Sequence, residues 1–307
     1  MAGCCSVQAQ LVHLPACFEP ADVAASMSPA IPVSVVQRIE HHESRQRWND
    51  STEDDCWRLQ ILPDGLIYQT PLAGAKESRL GGQVFHEKND GWFWGATIGN
   101  RFGLFRYGND DAMNPEGFQV DIDGSAQVRL DIDDELDVSS VDFRGGIIGT
   151  WGGRVGQTRF GYYHISSHLG DEFLLKTPAF PRLNFVRDVL ILGQSVNLTE
   201  CLRIYAETGY AFSSEISQPW EVQFGFDWIG PQRTTDSAAL FLAMNGHLRE
   251  EVDFGGNLTL HAGWAWRATN SRRLLRLGFF YQNGKSVQFS FFDEHEQQIG
   301  IGSWFDP

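Results

Sequence analysis

The sequence predicts an all-β fold: a single antiparallel up-and-down transmembrane β-barrel of about twelve strands, with an irregular N-terminal extension. Three observations predict it. The first is the stretch from Phe118 to Ile132. Its even positions read Phe118, Val120, Ile122, Gly124, Ala126, Val128, Leu130 and Ile132; its odd positions read Gln119, Asp121, Asp123, Ser125, Gln127, Arg129 and Asp131. Strand side chains alternate with a period of two, so one face is apolar and the other polar. Strands of soluble sheets average about five or six residues, and a bilayer-crossing strand needs roughly 9–11.

The second observation is that several polar faces carry both charge signs. Asp121 is joined by Arg129, Asp142 by Arg144, Arg203 by Glu207, and Asp253 by Arg267. That suits a hydrated lumen crossed by ion pairs, whereas the outer face of a β-sandwich needs only to be soluble. The third is the placement of Trp92, Trp94, Tyr210, Trp220, Trp228, Trp264, Trp266 and Tyr281 near the ends of apolar faces. Membrane barrels carry aromatic girdles at both interfaces.

Composition sets the limits. The chain has 307 residues and a formal net charge of −15, which argues against nucleic acid as a partner. Mean hydropathy is −0.27, and no run of about 18 apolar residues exists to form a membrane helix. Alternation hides the lipid face of a barrel from such an average. The five cysteines, Cys4, Cys5, Cys17, Cys56 and Cys201, show no CxxC spacing. Neither a zinc site nor a disulfide framework is expected to organise the fold, and no cofactor or metal is expected.

Taken in order, residues 1–88 read as an N-terminal extension on the periplasmic side. Val7-Gln8-Ala9 resembles the end of a secretory signal, and Met1-Ala2-Gly3-Cys4 resembles a lipobox, both lacking the basic and apolar regions upstream. The expectation is that the true start lies upstream of Met1 and that the signal is truncated. Val33 to Arg47 suits a short polar helix, and Asn49 to Asp55 an acidic loop.

The barrel domain is expected over 89–307. Segments beginning at Leu202, Trp220, Val252 and Leu275 repeat the alternation, while Thr158–Leu169 and Leu183–Leu198 alternate poorly. Even strand numbers in bacterial barrels favour twelve over eleven, Val287 to Phe292 being the uncertain strand. Asp121, Asp123, Arg129, Asp131, Arg203, Glu207, Asp253 and Arg267 are expected to line the lumen. Bulky charges in a narrow twelve-stranded barrel predict a small or closed pore. The connections Gly170 to Arg182 and Gly284 to Glu294 are candidate external loops.

Several stretches resemble a bacterial family known only as a domain of unknown function, DUF1207. They are Phe85-His86-Glu87-Lys88, Gly117-Phe118-Gln119-Val120-Asp121, Tyr163 to Glu172, and Glu294 to Gly302. The resemblance covers Tyr68 to Phe305 and implies a barrel-like envelope protein. It brings no activity, substrate or catalytic residue.

Concentrated chemistry sits in His164-Ile165-Ser166-Ser167-His168-Leu169-Gly170-Asp171-Glu172. His164 and Ser166 share a strand face, where a His can activate a Ser hydroxyl. The spacing resembles outer-membrane phospholipases and lipid A deacylases, which carry His-x-Ser on the outer wall. Phe160 and Tyr162 on the same face suit a lipid-facing site, with Glu172 or Asp171 as the orienting acid by proximity. The bland alternative is that these side chains bond to neighbouring strands. His164 and His168 stand about 13 Å apart along a strand, too far to share one metal.

The expected function is an outer-membrane barrel serving as a structural or narrow transport element. The alternatives are a barrel-type lipid ester hydrolase and a soluble envelope protein binding glycans through its tryptophans. Outer-membrane lipid and the barrel assembly machinery are the expected partners.

Overall fold

The computed structural model describes residues 57–232 and 237–307. The signal and lipobox readings, the helix at Val33 to Arg47 and the acidic loop at Asn49 to Asp55 lie outside the described residues.

Twelve antiparallel strands close into a barrel. They are β2 (Leu80–Glu87), β3 (Gly91–Gly108), β4 (Gly117–Asp131), β5 (Asp137–Gly152), β6 (Gly156–Leu169), β7 (Phe185–Asn197), β8 (Leu202–Ser214), β9 (Trp220–Ile229), β10 (Ala239–Arg249), β11 (Gly255–Arg267), β12 (Leu274–Lys285) and β13 (His295–Asp306). Each pairs with the next, and β13 returns to pair with β2. Closure leaves few unpaired backbone edges. A short leading strand, β1 (Arg58–Ile61), is not a stave. It pairs with Phe105–Gly108 of β3, beyond the reach of β2, which ends its β3 pairing at Thr97.

The barrel is apolar outside and polar inside. On β4, Gln119, Asp121, Asp123, Ser125, Gln127 and Arg129 are buried while Phe118 and Ile122 are exposed. The same division runs along β8, where Arg203 and Tyr205 point inward and Ile204, Tyr210 and Phe212 outward. Exposed tryptophans and tyrosines gather towards both rims, while Phe143, Phe224 and Phe279 face outward at mid-strand. Tyr107, Trp151 and Trp264 lie towards the rim of the chain ends; Trp92, Trp94, Tyr210 and Trp220 lie towards the other. Trp304 points inward and is buried, leaving Phe305 as the last outward aromatic.

The lumen is filled by chain as well as by side chains. After β1 the backbone turns in at Leu62, whose φ of 52° is a left-handed conformation. A bulge at Leu104 on β3 receives it, with the Leu62 N–H donating to the Leu104 carbonyl at 2.9 Å. Residues 62–79 then cross the interior, burying Ile67, Tyr68, Leu72 and Ala73. From the opposite rim, the β12–β13 connection folds inward through a 3-10 turn at Phe289–Phe291. Two apolar clusters result. Leu72 and Ala73 pack with Phe85, Phe93, Phe241 and Phe280; Phe289 packs with Phe185, Val189, Ile191 and Tyr163.

Three expectations change. The extension read over residues 1–88 includes a stave, because Leu80–Glu87 pairs on both sides. Its pattern is hidden by Gly81 and Gly82 and by inward Phe85. Val287 to Phe292 is a loop, not a strand, so the twelfth stave is β2. That loop, a candidate external one, is tucked into the barrel by its phenylalanines. The 170–182 connection stays on the rim and forms α1 (Asp171–Lys176), which buries no residue. Hydrogen bonds to Asp137 and Asp134 tether Lys176 and raise its pKa above the usual lysine value. Cys201, at the β7–β8 turn, is disulfide-bonded.

Candidate functional site

Two places concentrate chemistry. The first is the outer wall of β6 and β7. Register sets His164 directly opposite Asp188, so both side chains share a face. The His164 Nδ1 lies 2.9 Å from Asp188 Oδ1, and the Tyr162 hydroxyl donates to the same oxygen at 2.6 Å. Two residues along, Ser166 Oγ lies 2.9 Å from His168 Nε2, and the His168 ring rests against Phe143. Thus the carboxylate in contact with His164 is Asp188. Glu172 and Asp171 stand exposed on α1 at the rim. Ser166 is hydrogen-bonded to His168 rather than to His164.

Asp188 escaped the sequence reading because β7 alternates poorly. Its inward positions include Phe185, Val189 and Ile191, which pack on the Phe289 loop, so no polar face marks the register. A signal was present: in a β6–β7 hairpin, the one acid on β7 is the natural cross-strand partner for a β6 histidine.

The second place is the lumen. Asp121, Asp123, Arg129 and Arg203 are buried there, and Glu207 points inward. Their partners lie on other strands or on the internal segment. Arg101 pairs with Asp121 at 2.6 Å, Arg144 with Asp123 at 3.1 Å, and Arg129 with Glu296 at 2.7 Å. Arg159 pairs with Glu207 and, at 2.9 Å, with Glu77; Arg203 pairs with Asp227. Lys76 pairs with Asp142, and Arg79 with Asp306 at 2.9 Å.

Three of the expected lining residues sit at the rims instead of in the midsection. Asp131 is half-buried at the end of β4, where it accepts the N–H groups of Asp133 and Asp134. Asp253 is exposed in a rim turn with a left-handed φ of 57°, so the strand begins at Gly255 instead of Val252. Arg267 is half-buried at the opposite end of β11, lining the mouth.

Arginines also satisfy the irregular backbone inside the barrel. Arg106 donates to the carbonyls of Asp64 and Gly65, Arg203 to Gln69 and Thr70, Arg79 to Pro71 and Leu72, and Arg276 to Leu72. The Leu72 N–H donates to Asp227 at 3.1 Å. Buried backbone without a ladder must find such partners. Cavities in the midsection are correspondingly small, at about 60 Å³ and about 10 Å³.

The model of the family described as "Protein of unknown function (DUF1207)" matches residues 38–306. The chain belongs to the DUF1207 family. For this DUF1207 member the match spans the internal segment and all twelve staves. No curated protein matches the chain.

Proposed function

We propose that the protein is an outer-membrane β-barrel with an occupied lumen, acting as a structural element or a narrow transport element that is closed at rest. The distribution of side chains carries this reading. Ile98, Leu192, Phe279 and Ile299 are each more than half exposed, while arginine–carboxylate pairs fill the interior. Soluble monomers rarely expose apolar patches beyond a few hundred Å², whereas a bilayer rewards such a belt. The aromatics near both rims support the same reading. The rim carrying both ends of the described chain is proposed as periplasmic and the rim of α1 as external. Outer-membrane lipid and the barrel assembly machinery are the proposed partners.

Membrane fractionation with a heat-modifiability gel tests this. The protein should require detergent for extraction and shift in mobility on boiling. Recovery in the soluble fraction without detergent would overturn it in favour of a soluble envelope protein.

A second reading, a lipid ester hydrolase, is favoured by one observation: the 2.9 Å contact between His164 and Asp188 on the outward wall. There Asp188 would hold the imidazole and stabilise its charged form, His164 would take the Ser166 proton, and Ser166 would attack an ester carbonyl. Ser166 must first turn from His168. Deacylation assays on phospholipid and lipid A, with wild type and Ser166→Ala, decide it. Loss of activity in the variant supports the reading, and an inactive wild type on both substrates sinks it.

A further inference from the structure

The mouth at the rim of the chain ends encloses a cavity of about 460 Å³. Small-molecule sites occupy about 300–1,000 Å³. Four arginines line it: Arg154, Arg203, Arg267 and Arg272. Two of them are committed, Arg154 to Glu200 at 2.8 Å and Arg203 to Asp227. Among the described residues no carboxylate lies within ion-pair distance of Arg267 or Arg272, although the chain carries a net charge of −15.

Two further observations point to a missing partner. Arg272 Nε is enclosed without a hydrogen-bond acceptor. Thr70, 5% exposed and lining the same cavity, has a hydroxyl without a partner. Burial, reinforced by the Arg267 and Arg203 cations and only partly offset by Asp111, pushes Arg272 down to about 10. Glu200, Asp227 and Asp306 also line the mouth, but each is held by another arginine, which leaves Arg267 and Arg272 without a carboxylate at ion-pair distance.

We propose that this cavity is a binding site for a phosphate-bearing anion, with Arg267 and Arg272 as its charge receptors and Thr70 as a hydrogen-bonding contact. Two guanidinium groups match the charge of a phosphate monoester, and their forked donors fit its oxygens. The volume exceeds that of a bare phosphate, leaving room for a small organic group beside Leu72, Ile229 and Leu274. The phosphate could belong to a soluble ester or to a lipid headgroup. A second cavity of about 400 Å³ shares Arg272 and opens beside Phe102 and Phe305.

Calorimetric titration of the full-length protein in detergent tests the site with three probes: glycerol 3-phosphate, lysophosphatidylglycerol and lysophosphatidylcholine. Binding of either of the first two should weaken at least tenfold in Arg267→Gln/Arg272→Gln. It should persist in Arg273→Gln, whose side chain pairs with exposed Asp64 outside the mouth. Retained mobility shift on boiling certifies that both variants are folded. Tighter binding of lysophosphatidylglycerol than of glycerol 3-phosphate assigns the site to a headgroup, and the reverse to a soluble ester. The proposal is overturned if neither anionic probe binds, if the double variant binds like wild type, or if lysophosphatidylcholine binds as tightly as lysophosphatidylglycerol.

Discussion

Arg129 shows what a single residue contributes here. Its two terminal nitrogens reach Glu296 at 2.7 and 2.9 Å, from β4 across the lumen to β13. The guanidinium also lies within 6 Å of the Phe85, Phe93 and Phe291 ring centres. Removing one partner of a buried pair leaves an uncompensated charge and costs about 3–5 kcal/mol. Glu296→Ala should therefore lower unfolding free energy by about that amount in denaturant titrations. Glu200→Ala, which breaks the more exposed pair with Arg154, should cost under about 1 kcal/mol. The sequence marked Arg129 as inward but offered Asp121 as the opposite charge on its face. Those two are eight positions apart on one strand, roughly 26 Å at 3.3 Å per residue, so neither can be the other's partner.

At the scale of elements, the internal segment 62–79 distinguishes this barrel from an open one. It has no period to read: Leu66-Ile67-Tyr68-Gln69-Thr70-Pro71-Leu72 is neither strand nor amphipathic helix. Its conformation is imposed by barrel arginines bonded to its carbonyls and by the Leu72 contacts. Under the membrane reading proposed above, replacing 66–79 with a Gly/Ser linker of equal length should turn a closed barrel into one with stable conductance steps in a planar bilayer. Unchanged conductance would mean that the Phe289 loop closes the lumen by itself. Strands β4, β8 and β11 were legible because their inward faces are mainly polar or small, and β12 because Arg276, Gly278 and Gln282 mark its inward face despite Leu274 and Phe280. β6 and β7 were not, since Tyr163, Ile165, Val189 and Ile191 face inward onto that loop. Gly117 shows a local requirement of the β3–β4 connection: its φ is 128°, and a Cβ there would fall 2.2 Å from the Tyr107 carbonyl oxygen.

At the scale of the whole molecule, the proposed membrane reading rests on the outer belt. Leu192, on β7 among Leu190 and Phe160, is 57% exposed. A lysine at mid-depth on a lipid face costs about 2–4 kcal/mol. Leu192→Lys should reduce the heat-modifiable fraction after refolding into lipid vesicles, while Leu175→Lys on the exposed face of α1 should leave it unchanged. Equal effects would argue against a bilayer around the belt.

The count of twelve came from the even-number rule of barrels, with β2 missed; the sequence by itself determined the all-β class and the two-faced character of most strands. These follow from a period of two that each strand carries alone, without reference to its neighbours. Only the tertiary structure decided which charges meet, that Asp188 stands behind His164, that β2 is a stave, and that two segments fill the lumen. Cross-strand neighbours lie about 5 Å apart, nearer than same-face neighbours along one strand, so partnership is set by register and closure. Those in turn bring together residues as distant as Leu72 and Asp227, which no local pattern links.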